Sequence, residues 1–99
     1  MINYNEKAMK ATLKPDFLVH DIAGEQILIG GGEQINFSKM LMLNETSAFL
    51  INELKKQAAT DEELALRLAE NYEVDIEVAR RDVQELLRKL EEQGVAVLE

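Results

Sequence analysis

The residue types that carry most enzyme chemistry are sparse in this chain of 99 residues. There is no cysteine and His20 is the only histidine, which leaves no thiolate nucleophile, no disulfide framework and no cysteine-based zinc or iron–sulfur site. One imidazole cannot build a metal site by itself. Asp21 follows His20, but alternation along a strand turns neighbouring side chains to opposite faces, so the two do not pair. Carboxylates are plentiful, with Glu62-Glu63 and Glu91-Glu92 adjacent. Adjacent helical residues diverge by about 100°, so neither pair converges on a proton or a divalent ion, and both read as solvated faces. Gly30, Gly31 and Gly32 precede a strand rather than a helix start, which is the wrong context for a phosphate-binding loop. The sequence offers no nucleophile with a partner base and no cofactor fingerprint. It predicts a protein that is not an enzyme and needs no cofactor and no metal.

Charge narrows the partners further. The formal net charge is -8, and residues 60–99 carry nearly all the excess acid. Six acidic residues from Asp75 to Glu92 outnumber the four bases Arg80, Arg81, Arg88 and Lys89. Binding to nucleic acid depends on neutralising phosphates, and a surface of this sign repels DNA before specific contacts form. With 46% hydrophobic and 30% charged residues, the composition is that of a soluble globular domain, with enough chain for one small core. No apolar run approaches the ~20 residues that span a bilayer, and no apolar segment follows N-terminal positive charges as in a signal peptide. The expectation is a cytoplasmic protein with no membrane partner.

The elements that must position any site are organised around residues 39–50. Lys39, Met40, Leu41, Met42 and Leu43 have the length and apolar density of a strand buried on both faces. Phe49, Leu50 and Leu54 then recur at helical spacing, and Asn44 stands where a side-chain oxygen caps the first helical amides. Residues before this switch read as sheet and residues after it as helix. Residues 1–14 read as a flexible N-terminal arm. Residues 15–99 read as a single domain that starts at Pro15, with a hairpin turning at Ala23-Gly24-Glu25, a return strand through Ile29 and a loose turn at Gly30-Gly31-Gly32. The first helix is predicted from about Glu45 to Gln57. Thr60-Asp61-Glu62-Glu63 opens the second as a capping box, with Leu64, Leu66, Leu68 and Tyr72 as its apolar face. The third begins at Asp75 and reaches Gln93, with Gly94 as its left-handed cap and Ile76, Ala79, Val83, Leu86, Leu87 and Leu90 as one stripe. Val95, Ala96, Val97 and Leu98 form an apolar tail that returns to pack on the domain as a strand or an extended cover. The fold class is α+β, winged-helix-like: a three-stranded antiparallel N-terminal sheet followed by a three-helix bundle.

Several segments in this order resemble the PqqD family. They are residues 21–28 (DIAGEQIL), residues 43–50 (LNETSAFL), the Thr60-Asp61-Glu62-Glu63-Leu64 helix start, and Ala79-Arg80-Arg81-Asp82-Val83 with Leu86, Leu87 and Leu90 before Gly94. The match runs from about Leu13 to the C-terminus, and its most specific pieces are the LNET segment and the Asp82-Val83 pair.

The resemblance implies a RiPP recognition element, a small peptide chaperone that holds the leader segment of a ribosomally made precursor peptide and presents it to a modifying enzyme. In that family the leader adds as a strand on the third strand of the sheet, beside the third helix. Carried onto this chain, the backbone of Lys39, Met40, Leu41, Met42 and Leu43 is the ladder. Val78, Asp82, Glu85 and Lys89, on the side of the third helix next to its core stripe, form one wall. Strand addition draws affinity from unpaired backbone groups and specificity from flanking pockets, and methionines on such a strand adapt to varied apolar partners. The founding member acts in coenzyme PQQ synthesis beside a radical SAM enzyme. The long polar arm and the glycine turn depart from that member, so the resemblance carries the binding mode rather than the pathway. The expected partners are therefore a precursor leader peptide and a peptide-modifying enzyme such as a radical SAM protein, with a homodimer through the same edge. Alternative readings are a winged-helix DNA-binding regulator and an interaction or dimerisation module.

Overall fold

The structure is a computed structural model that describes residues 9–30 and 36–99, with side chains outside that description for residues 36–39. In chain order the elements are β1 (Lys10–Leu13), β2 (Leu18–Ile22), β3 (Glu25–Gly30), β4 (Asn36–Leu43), α1 (Glu45–Lys56), β5 (Ala59–Thr60), α2 (Asp61–Tyr72), α3 (Ile76–Glu92) and β6 (Ala96–Leu98). The fold class is the α+β arrangement that the sequence predicts, with a three-stranded antiparallel sheet ahead of three helices.

That sheet has the order β2-β3-β4. Its hairpin closes on two residues, Ala23 at φ +55° and Gly24 at φ +86°, the pair of left-handed conformations that matches the twist of flanking strands. The Asp21 carboxylate accepts the Gly24 amide at 3.2 Å and the Gln26 side-chain amide at 3.1 Å, holding the turn. Leu28 and Leu43 face the helices and are buried, with Val19 and Leu41 packed against the same core. Gly30 ends β3 rather than starting the loose turn, and it is buried against the ring of Phe17. Gly31 and Gly32 lie outside the described residues.

The helices form because each carries a local start signal and one apolar face. Asn44 alone separates β4 from α1, and its Oδ1 accepts the Ser47 amide at 2.8 Å. At the start of α2 the Thr60 hydroxyl accepts the Glu63 amide at 3.1 Å and the Thr60 amide donates to the Glu63 carboxylate at 2.9 Å, a complete capping box. Asp75 caps α3, and Gly94 at φ +76° follows its last turn, where the Val95 amide donates to the Leu90 carbonyl at 2.8 Å. Ala79, Val83, Leu87 and Leu90 of α3 pack against Leu64, Ala65 and Leu68 of α2 in one core with Leu50, Ile51 and Leu54 of α1. Phe49 and Tyr72 close one end edge to face, with centroids 5.5 Å apart.

The structure corrects four expectations. Lys10–Leu13, expected in a flexible arm over residues 1–14, is a strand at the centre of a second sheet, β5-β1-β6, with Ala11 fully buried. Its partners lie some fifty and more residues away, Lys10 opposite Thr60 and Ala11 opposite Leu98, and a four-residue strand is too short to show a period of its own. Residues 1–8 of that arm lie outside the described residues. The sheet structure is consequently not confined to the N-terminal part: a two-residue β5 precedes α2, and the tail returns as β6, one of the two forms the sequence predicts for it. Leu66, expected on the buried face of α2, is 54% exposed, because it stands about 200° around the helix from its neighbour Leu64. Finally, β4 is not buried on both faces: Leu43 is in the core while Met42 is 69% exposed.

Candidate functional site

The site begins with an edge. β4 pairs with β3 on one side only, so its other side is an open edge among the described residues. Which backbone groups it offers follows from the hairpin. A two-residue turn makes the flanking pair Ile22–Glu25 exchange both hydrogen bonds, so Glu25, Ile27 and Ile29 direct their bonds to β2 and Gln26 and Leu28 direct theirs to β4. The register sets Gln26 opposite Leu43 and Leu28 opposite Leu41, with Ile27 opposite Met42 and Ile29 opposite Met40. Leu41 and Leu43 therefore bond inward to β3. The N–H and C=O of Met40 and Met42 point out of the sheet along the open edge.

Side chains alternate in the same register. Leu41 and Leu43 turn toward the helices, and Met40 and Met42 turn to the opposite face. On that outer face Met40, Met42, Leu18 and Ile22 are all exposed, flanking the buried Ile27 and Ile29 of the central strand.

Alongside the edge lies a groove of about 270 Å³. Its sheet wall is Leu41, Met42 and Leu43, and its helix wall is Asp82, Glu85, Leu86 and Lys89 of α3. The α3 wall adjoins the buried stripe, so residues three and four apart on that face project together while Val83 and Leu87 beside them anchor the helix. Leu50 and the first turn of α1, with Asn44, Thr46 and Ser47, close one end. The Asn44 carboxamide is already engaged, since its Oδ1 accepts both the Ser47 amide and the Thr46 hydroxyl, the latter at 3.2 Å.

Of the residues expected to form a binding site, the groove brings together Leu41, Met42, Leu43, Asp82, Glu85 and Lys89. Met40 and Val78 are exposed and stand outside its lining. Lys39 contributes backbone to β4, and its side chain lies outside the described residues. Asn44, Thr46, Ser47, Leu50 and Leu86 also line the groove, beyond the residues the sequence predicts. The signal for the first three was present in the tight strand-to-helix junction, which sets the first turn of α1 against the end of β4.

Among the described residues, no group of three or more metal-ligating side chains occurs and no helix is long and apolar enough to cross a membrane. Of the basic residues of α3, Arg80 is held by Glu62 at 3.1 and 3.3 Å and by Glu77 at 3.2 Å. Those carboxylates, the Glu62 hydrogen bond first, hold its guanidinium above the ordinary arginine value.

The model of the family described as Coenzyme PQQ synthesis protein D (PqqD) matches residues 21–96, from the hairpin to the start of the last strand. The chain belongs to the PqqD family. A comparison with curated proteins finds no match. Among solved structures, this PqqD-family chain is similar to a lasso peptide synthetase B1 complexed with the leader peptide. The two are 26% identical, the match covers 88% of this chain and 96% of that one, and the TM-score is 0.67. TbiB1 in complex with the TbiA(beta) leader peptide shares the fold with a TM-score of 0.68 at 18% identity, over 86% of this chain and 93% of that one.

Proposed function

We propose that this PqqD-family chain is a RiPP recognition element, which captures the leader segment of a ribosomally made precursor as an added strand on β4 and presents it to a modifying enzyme. The observation that carries this reading is the open edge of β4. Two residues, Met40 and Met42, aim backbone donors and acceptors away from the sheet beside a groove walled by α3. Added main-chain bonds supply affinity, and the groove supplies selection. Two solved structures of the same fold, one of them 26% identical, hold leader peptides, which supports the same class of guest here. The chain itself acts without catalysis or a cofactor, and the chemistry belongs to the enzyme it serves, a radical SAM protein in the reading that follows the family. The open edge also admits a second copy of the chain, so a homodimer and the peptide complex compete for one strip of backbone.

The test is a titration of isotope-labelled protein with synthetic peptides that cover the leader halves of short reading frames encoded beside its gene. Amide signals of Met40 and Met42 move with a binding peptide. Met42→Pro removes one outward donor without touching the β3 ladder, and proline is tolerated where an edge N–H faces solvent. Affinity falls about tenfold or more, as expected when a guest carbonyl loses its partner. Met42→Ala, which keeps the backbone donor, retains most of it. Outward amides that stay unmoved with every peptide overturn the proposal.

A further inference from the structure

We infer, resting on the strand-addition reading above, that the groove selects a guest carrying one basic and one acidic side chain two positions apart, with an apolar side chain between them. A strand laid on β4 shares its alternation. Guest residues opposite Leu41 and Leu43 turn toward α3, and the residue opposite Met42 joins the outer face of the sheet.

The α3 wall is polarised. Asp82 and Glu85 lie one turn apart, and Lys89 lies one turn further on. All three are exposed, and none has an ion-pair partner among the described residues, whereas Arg67 and Arg80 are each bound to carboxylates. Glu85 and Lys89 hold the spacing of a helical ion pair, and no such pair forms among the described bridges. Both charges therefore remain available to a guest.

For a guest strand running along α3, spacing sets the register. The helix rises about 6 Å from Glu85 to Lys89, and alternate residues of a strand are about 6.6 Å apart. A basic side chain facing Asp82 and Glu85 thus sets the side chain two positions along opposite Lys89, where an acidic group is favoured. The intervening side chain emerges beside Met42, which is 69% exposed on an outer face shared with Leu18, Ile22 and Met40. An apolar residue there extends that surface. In a chain of net charge -8, Lys89 is the one cation among the described residues lining the groove, and the acidic guest position faces it.

A surface-display library of random 12-residue peptides, sorted separately on the wild-type chain and on an Asp82→Lys, Glu85→Lys, Lys89→Glu triple variant, tests this. Wild type enriches basic-apolar-acidic triplets in one chain direction, and the variant enriches the same triplets with the charges exchanged. Swapping the two charges in a selected peptide weakens wild-type binding about tenfold at low salt, and added salt narrows the difference. The salt titration of that swapped peptide on the wild-type chain decides the matter even if the variant folds poorly. Enriched peptides that move the Met42 amide but carry no such triplet, or lose nothing on swapping, overturn the charge reading and leave strand addition standing. A library that yields no binder overturns both.

Discussion

A hydrogen in place of a methyl group decides the end of β3. Gly30 is buried, and a Cβ built there would overlap the ring of Phe17, itself buried at the entrance to β2. The ring cannot withdraw freely, because it belongs to the main core with Leu28 and Leu43. Gly30→Ala therefore forces a shift in the sheet next to β4, and overpacking of this kind costs about 1–3 kcal/mol. Urea denaturation checks it: the midpoint falls with an unchanged slope, while Phe17→Leu combined with Gly30→Ala recovers part of the loss. Asp61 shows the complementary case of a buried polar residue whose every demand is met. Its carboxylate is 5% exposed and accepts the Met9 amide at 3.1 Å, the Glu62 amide at 2.9 Å and the Gln84 side chain at 3.2 Å. The Asp61 amide returns a bond to the Met9 carbonyl at 2.9 Å. From the first turn of α2, one side chain thereby ties the residue before β1 to α3.

Elements with local signals were legible, and elements that depend on distant partners were not. The strand-to-helix switch at Asn44, the capping box at Thr60, the Gly94 cap and the stripe of α3 each express a period or a cap within one segment, so they can be read in order along the chain. β1 and β5 exist only because α2 and the C-terminal tail close around them, and nothing within four residues records that. The groove is intermediate: the family resemblance points to Leu41, Met42, Leu43, Asp82, Glu85 and Lys89, while helical spacing alone assigns Leu86 and Leu50 to the core. The capping box also carries a measurable pH dependence. The Thr60 amide bond to its carboxylate, opposed by desolvation, holds Glu63 below the ordinary glutamate value of 4.5. A group with a lowered folded pKa stabilises the native state above its unfolded pKa, and that contribution is lost as pH falls through the folded value. Glu63→Gln keeps an acceptor and removes the titration. Melting temperatures of wild type and variant should differ most near neutral pH and converge as pH falls below the ordinary glutamate value of 4.5, where the depressed carboxylate takes up its proton. Curves that stay parallel throughout would remove Glu63 from the acid response.

At the scale of the molecule, the open edge of β4 meets a strongly acidic surface. Two copies can pair β4 to β4 across a two-fold axis, each offering Met40 and Met42 to the other. A net charge of -8 on each opposes that encounter, and salt weakens the opposition by screening it. A guest segment faces less repulsion than a second whole chain and occupies the same donors and acceptors. The two assemblies must then exclude each other. In sedimentation experiments the chain should be monomeric when dilute at low salt, with a dimer growing as protein and salt concentrations rise. A peptide that shifts the Met42 amide returns it to monomer, and Met42→Pro weakens both assemblies together because both draw on that one donor. A dimer that persists with peptide bound would place the contact elsewhere, and the exposed outer face of Leu18, Ile22, Met40 and Met42 would become the surface to mutate.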